Sequence, residues 1–192
     1  MQCVAFPCLA ETRSGNYLSV LTPRALRRRS LLVGAPTLFL PFACAATPLP
    51  PSRAGQYVGA PLPAFGGVTV NGSEFDSNAS RGMVLLVEFF ECAEGQHALG
   101  DAGEIYSSHR GLVVVGVSLG ESIERTRAFT AHHAVKFPVI CDPERSVATQ
   151  LDVKEARTSL AVDRRGILRW IGDAKTPGAV EQAASALLGE PA

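Results

Sequence analysis

Five cysteines, at positions 3, 8, 44, 92 and 141, carry the most reactive chemistry in this 192-residue chain. Cys3, Cys8 and Cys44 fall in or beside an N-terminal segment that resembles an export signal, which leaves Cys92 and Cys141 for the mature domain. Cys92 follows the run Met83-Val84-Leu85-Leu86-Val87-Glu88-Phe89-Phe90 and precedes Ala93-Glu94-Gly95, where a helix is expected to begin. A thiol at a helix N-terminus meets free backbone N–H groups and the positive end of the helix dipole, and both favour the thiolate. Such a thiolate attacks a disulfide or a peroxide. Glu91 and Glu94 flank it and oppose ionisation, while His97, one turn away, is either a hydrogen-bond partner of the sulfur or, the commoner case, a solvated side chain. The plainer alternative is a cysteine packed as a small hydrophobe. Cys141, which follows a strand and precedes the turn Asp142-Pro143, is expected on a strand edge away from Cys92 and not disulfide-bonded to it. The cysteines lack metal-ligand spacing and His97, His109, His132 and His133 form no accompanying cluster, so neither a metal nor a cofactor is expected.

The elements that position Cys92 are two strands and a helix. Met83 to Phe90 and Gly111-Leu112-Val113-Val114-Val115-Gly116-Val117-Ser118-Leu119 are β-branched runs of strand length, separated by a segment of helix length. They predict two parallel strands buried on both faces, joined by a right-handed helical crossover. Gly100 and Gly103 in the helix from about Gln96 to Arg110 each cost about 1 kcal/mol relative to alanine, which predicts a distorted helix. Glu121 to Phe129 predicts an amphipathic helix ended by His132-His133. Phe137-Pro138-Val139-Ile140 predicts a short strand, Leu160 to Ile171 a hairpin turning at Arg164-Arg165-Gly166, and Ala179 to Leu188 a final helix. Trp170 is expected to be structural.

This order of elements resembles the thioredoxin-like superfamily. Phe137 to Pro143, Val147-Ala148 through Leu151-Asp152-Val153, and Ala156 to Gly166 are similar to the second half of redoxin domains, those of membrane-anchored thiol-disulfide redoxins and of the alkyl hydroperoxide reductase/thiol-specific antioxidant, or peroxiredoxin, group. Ala60 to Phe65 and Val68-Thr69-Val70 with the turn Asn71-Gly72 resemble their first hairpin. The resemblance spans roughly Val58 to Leu188 and implies an α/β fold: a thioredoxin-like three-layer sandwich, its mixed central sheet covered by helices on both faces. The active-site pattern departs from it. Thiol-disulfide members carry Cys-x-x-Cys at the helix start, whereas here the four residues are Cys92-Ala93-Glu94-Gly95. The loop before Cys92 is about two residues short on this alignment, and the Pro and Thr or Ser that precede a peroxiredoxin cysteine are replaced by Glu88-Phe89-Phe90-Glu91. Where thioredoxin-like members place a cis-proline facing the cysteine, this chain has Arg157. Peroxiredoxins carry an arginine six residues before the aspartate that ends the strand, and Arg157 to Asp163 has that spacing. The resemblance therefore implies Cys92 as the catalytic nucleophile and Arg157 as the cation beside it; a surface arginine is the alternative. It also implies a thiol, disulfide or peroxide substrate and an external thiol reductant. With Gly95 where a second cysteine would stand, a non-catalytic binding or scaffold protein is the rival expectation.

Composition bounds the rest. Nearly half the residues are hydrophobic (46%), enough for one good core. The formal charge is zero, but the first 45 residues hold five Arg and one Glu, leaving 13 basic against 17 acidic residues beyond them. No basic footprint for nucleic acid remains there. Arg27-Arg28-Arg29-Ser30-Leu31-Leu32 before the apolar run Val33 to Phe42 resembles a twin-arginine export signal, too short to span a bilayer as a structural helix. Ala43-Cys44-Ala45-Ala46 allows cleavage near Ala45 or Ala46, the favoured outcome, or a membrane tether through lipid on Cys44. The expected organisation is an export signal over 1–46 with an uncertain upstream extension, a Pro-, Ser- and Gly-rich linker over 47–57, and a redoxin domain over 58–192. The expected location is periplasmic or extracytoplasmic.

Overall fold

A computed structural model describes residues 58–191 except 94, 95, 175 and 177, with the side chains of 96–98, 100 and 101 also left aside. The expected export segment and linker lie outside these residues. Strand β3 (Val84–Phe90) is buried at every position. Its seven residues alternate between two cores, because successive strand side chains point to opposite faces. Val84, Leu86 and Phe90 enter one cluster together with Leu99, Ala102 and Ile105 of helix α1 (Gln96–Ser108) and Val180, Ala183, Ala184 and Leu187 of helix α4 (Ala179–Gly189). Leu85, Val87 and Phe89 enter the other, with Leu62, Phe65 and, from the short helix α3 (Ser146–Gln150), Val147 and Ala148. This two-sided burial is what a near-continuous apolar strand requires.

The central sheet has five strands in the order β5-β4-β3-β6-β7. β4 (Leu112–Leu119) runs parallel to β3, with Val84 opposite Leu112 and Phe90 opposite Ser118. β5 (Val139–Asp142) runs parallel to β4, with Ser118 opposite Cys141. β6 (Thr158–Val162) lies antiparallel on the other side of β3, and β7 (Leu168–Asp173) pairs antiparallel with β6. The mixed sheet and its helices form the expected thioredoxin-like α/β fold. A separate hairpin, β1 (Gly66–Val68) and β2 (Glu74–Asp76), precedes it. Helix α2 (Ile123–His132) is capped by Ser122, whose hydroxyl accepts from the Arg125 N–H at 3.3 Å. The five-residue α3 is not among the helices that the sequence predicts.

The turn between β6 and β7 is built on Asp163. Its side chain is 6% exposed, one carboxylate oxygen accepting from the backbone N–H groups of Arg165 (2.9 Å) and Ile167 (3.0 Å) and the other from the Arg165 and Arg169 guanidinium groups. Arg169 also grips the Glu190 carboxylate through two 2.9 Å bonds. Burial pushes the Asp163 carboxyl up, but the bonds from the Ile167 N–H, Arg169 and Arg165 outweigh it and hold the carboxyl below its usual range.

Candidate active site at the end of β3

The parallel strands β3, β4 and β5 end at one edge of the sheet, and the chain leaves β3 toward β4 on one side while β6 closes the other. Open α/β sheets bind ligands outside the carboxyl ends of such strands, where the strand order reverses. Cys92 lies there, two residues past β3, half-buried against the cluster that includes Phe90 and Val139. Its Sγ stands 3.9 Å from the Ser118 hydroxyl. Ser118 is fully buried and 3.0 Å from the Thr126 hydroxyl on α2, and Thr126, also fully buried, is 3.8 Å from the Cys141 Sγ. Phe129 of α2 stacks on Phe90 at 5.7 Å between ring centroids, which holds the helix over this end of the sheet.

Cys92 and Cys141 are both free thiols. Cys141, expected on a strand edge away from the Cys92 loop, lies on the outer strand β5 with β4 between, and the register Phe90–Ser118–Cys141 places it at the same end of the sheet. Two strand spacings, about 9–10 Å, separate Cys141 from Phe90 at the end of β3.

The electrostatics differ from the sequence expectation. Burial pushes the Cys92 thiol up, and the Glu121 carboxylate adds to this; the Ser118 and Thr126 hydroxyls and the Arg125 guanidinium pull the other way without prevailing. Glu121 and Arg125 form an i,i+4 ion pair at 3.2 Å across the first turn of α2. Glu91, expected to oppose ionisation, lies 3.6 Å from Arg145 with both side chains well exposed, a geometry of little net energy. Glu94 and the His97 side chain lie outside the described residues.

Arg157 directly precedes β6. Its backbone N–H donates to the Phe89 carbonyl at 2.5 Å and its carbonyl accepts from the Ala174 N–H at 2.9 Å, so it is fastened to the strand that delivers Cys92. It adopts φ +68°, a left-handed conformation that costs a bulky L-residue about 1–2 kcal/mol, and these two bonds hold it there. The cation that acts on the Cys92 sulfur from α2 is Arg125, which carried no assignment from sequence. Glu88 likewise carries no assignment from sequence. It is fully buried within β3, and its carboxylate accepts from the Ser159 hydroxyl at 2.6 Å; a charge inside an apolar run was the available signal. Among the described residues no three His, Cys, Asp or Glu side chains converge as a metal site.

The family model for AhpC/TSA matches residues 58–171, more than half of the chain. None of the curated proteins matches it. Among solved structures, a thiol:disulfide interchange protein of the thioredoxin family from Chlorobium tepidum superposes with a TM-score of 0.54 at 22% identity, over 71% of this chain and 100% of that one. A secreted Mycobacterium tuberculosis disulfide oxidoreductase homologous to Escherichia coli DsbE gives 0.54 at 14% identity, over 63% and 95%. The thioredoxin domain of a Bacteroides vulgatus thiol-disulfide oxidoreductase gives 0.58 at 16%, over 68% and 97%. At these identities the likeness is one of fold.

Proposed function

The chain belongs to the AhpC/TSA family, and from that premise we propose that it is an exported thiol-dependent redox protein working through a single cysteine, Cys92. The observation that carries this is the position of Cys92: a free thiol at the carboxyl edge of the parallel strands, beside a buried hydroxyl 3.9 Å away. In the peroxide form of the cycle the Cys92 thiolate attacks one peroxide oxygen, the O–O bond breaks, and the leaving oxygen takes a proton, giving a sulfenic acid and an alcohol or water. An external thiol then condenses with the sulfenic acid, releasing water and forming a mixed disulfide. A second thiol breaks that bond and regenerates Cys92. In the disulfide form, the thiolate displaces one sulfur of a substrate disulfide and the mixed disulfide resolves in the same way. Arg157 is the electrostatic partner in this proposal, supported by its place before β6 and its bond to the Phe89 carbonyl. Export through residues 1–46, with cleavage near Ala45 or Ala46 or lipid on Cys44, belongs to the same proposal. Among the described residues no helix is long and apolar enough to cross a membrane.

The alternative is a redox-inactive binding or scaffold protein, and the surroundings of Cys92 favour it: the thiol is partly buried, and burial and the Glu121 carboxylate push it up. Treatment of the full chain with hydrogen peroxide or a small disulfide, with dimedone trapping and peptide mapping, separates the two. The thiol reading expects a sulfenate or mixed disulfide on Cys92 that is lost in Cys92→Ser. No modification at Cys92 up to pH 9 would remove it in favour of the alternative.

A further inference from the structure

Ser118 is the only residue of the buried strand β4 with a side-chain hydroxyl, and it faces Thr126 rather than solvent. Both side chains are 0% exposed, so no water competes for their protons and each hydroxyl must be directed along the row Cys92–Ser118–Thr126–Cys141. The direction of that row can be assigned from its far end. The Cys141 thiol stands 3.1 Å from the Glu121 backbone carbonyl, which only accepts, so Cys141 spends its proton there. Its sulfur is then free to accept from Thr126. With Cys92 protonated, the protons run one way: Cys92 donates to Ser118, Ser118 to Thr126, and Thr126 to Cys141. With Cys92 ionised, both hydroxyls turn: Thr126 donates to Ser118 and Ser118 to the thiolate. The long bond from Thr126 to Cys141 is given up, and in exchange Ser118 donates to a charged acceptor, which makes the stronger kind of hydrogen bond.

We propose that Ser118 and Thr126 form a reversible hydroxyl relay that turns toward Cys92 when it ionises, Ser118 acting as a catalytic residue on the reacting sulfur and Thr126 as the positioning residue behind it. The relay rests on Cys92 being the group that reacts. The proton lost by Cys92 passes to solvent; none leaves the relay, whose hydroxyls only rotate. The relay opposes the two influences that disfavour the thiolate, burial and the Glu121 carboxylate. Other charged groups at this end of the sheet include Arg125, paired to Glu121, Glu91, paired to Arg145, and Glu88, buried within β3; the Arg157 N–H is bonded to the Phe89 carbonyl.

The test is the rate of iodoacetamide alkylation of the full chain against pH, followed peptide by peptide so that Cys92 is read apart from the other cysteines. Ser118→Ala is expected to raise the Cys92 alkylation pKa by about one unit, leaving tenfold less thiolate at neutral pH. Thr126→Val, which keeps the side-chain shape, is expected to lower the thiolate fraction about threefold, less than Ser118→Ala because Ser118 makes the larger hydroxyl contribution at the sulfur. Ser118→Thr and Thr126→Ser, which retain the hydroxyls, should restore wild-type profiles. Unchanged alkylation pKa values in both Ser118→Ala and Thr126→Val would overturn the relay, and if Ser118→Ala does not fold, Thr126→Val with its Ser rescue decides alone. Sulfenate formation on Cys92 with pKa values unmoved in the variants removes the relay and leaves the thiol function standing. Shifted pKa values in a protein that forms neither sulfenate nor mixed disulfide uphold the relay and remove that function.

Discussion

At the end of the sheet where β3 begins, Asp163 is held by four hydrogen bonds of 2.9–3.2 Å, two of them from guanidinium groups, and Arg169 carries the network on to Glu190 beyond α4. At the end where β3 stops, Cys92, Ser118, Thr126 and Cys141 touch through sulfur contacts of 3.8–3.9 Å and one hydroxyl pair at 3.0 Å. Both places bury polar groups in the same sheet. In the first, every proton has a fixed destination and reversal would strand a charge; in the second, hydroxyls and thiols are donors and acceptors at once, so the protons can be redistributed without leaving a group unsatisfied. Charge locks one corner, while amphoteric groups leave the other adjustable.

Replacing Asp163 with Asn should break this contrast most visibly. It removes the charge from four buried bonds and is expected to cost about 3 kcal/mol, or roughly 6–12 °C in Tm for a domain of this size, measured by thermal unfolding of the full chain. Alkylation of Cys92 at the far end of β3 should be unaffected. A Tm within a degree of wild type would mean that the corner is not the lock described. The same residue sets an acid limit. The folded carboxyl titrates below its unfolded value, so the unfolded state binds more protons as the pH drops. Its contribution is complete above the unfolded pKa of about 3.9 and is lost as the pH falls through the lower folded value. Denaturant titrations between pH 2 and 6 should show a steeper acid-side loss in wild type than in Asp163→Asn; parallel curves would contradict it.

Changes at the adjustable end should be smaller and should alter reactivity more than stability. Glu121→Gln removes the carboxylate that holds the thiol up and should lower the Cys92 alkylation pKa, while Arg125→Ala, which leaves that carboxylate uncompensated, should raise it. Because Arg125 is largely exposed, about a two- to fivefold change in alkylation rate at pH 7 is expected in each direction, the scale of an exposed ion pair. Shifts of the same sign in both variants would show that the pair does not govern the thiol. The smallest effect is expected at Glu91→Gln, whose partner Arg145 is equally exposed: under about 0.5 kcal/mol in stability and under twofold in alkylation.

How much of each region was legible in the chain follows from the range of the interactions. β3, β4 and the β6–β7 hairpin are written in local apolar runs and a Gly-containing turn, and Cys92 was locatable because it sits beside one of those runs. The Ser118–Thr126 contact carries no spacing signal; it arises because α2 crosses back over the end of β4, with Phe129 stacked on Phe90. Cys141 lies on the outer strand β5, and its link to Ser118 through Thr126 depends on the β4–β5 register, which is set by tertiary pairing. Glu88 was visible as a charge in an apolar run, but its partner Ser159 is 71 positions away. α3 is five residues long and has too few turns to show a helical period.

The place of β3 in the middle of the sheet has a further cost during synthesis. One neighbour, β4, emerges soon after it, but the other edge waits for β6, where Leu85 meets Val162. At about 5–20 residues per second, the roughly 75 residues in between take roughly 4–15 s to be made. Throughout that interval a strand with six apolar residues out of seven presents an unpaired edge to any other nascent chain. Released chains truncated just before Thr158 should therefore be the most aggregation-prone lengths of this protein, and those extended through β7 should recover solubility abruptly.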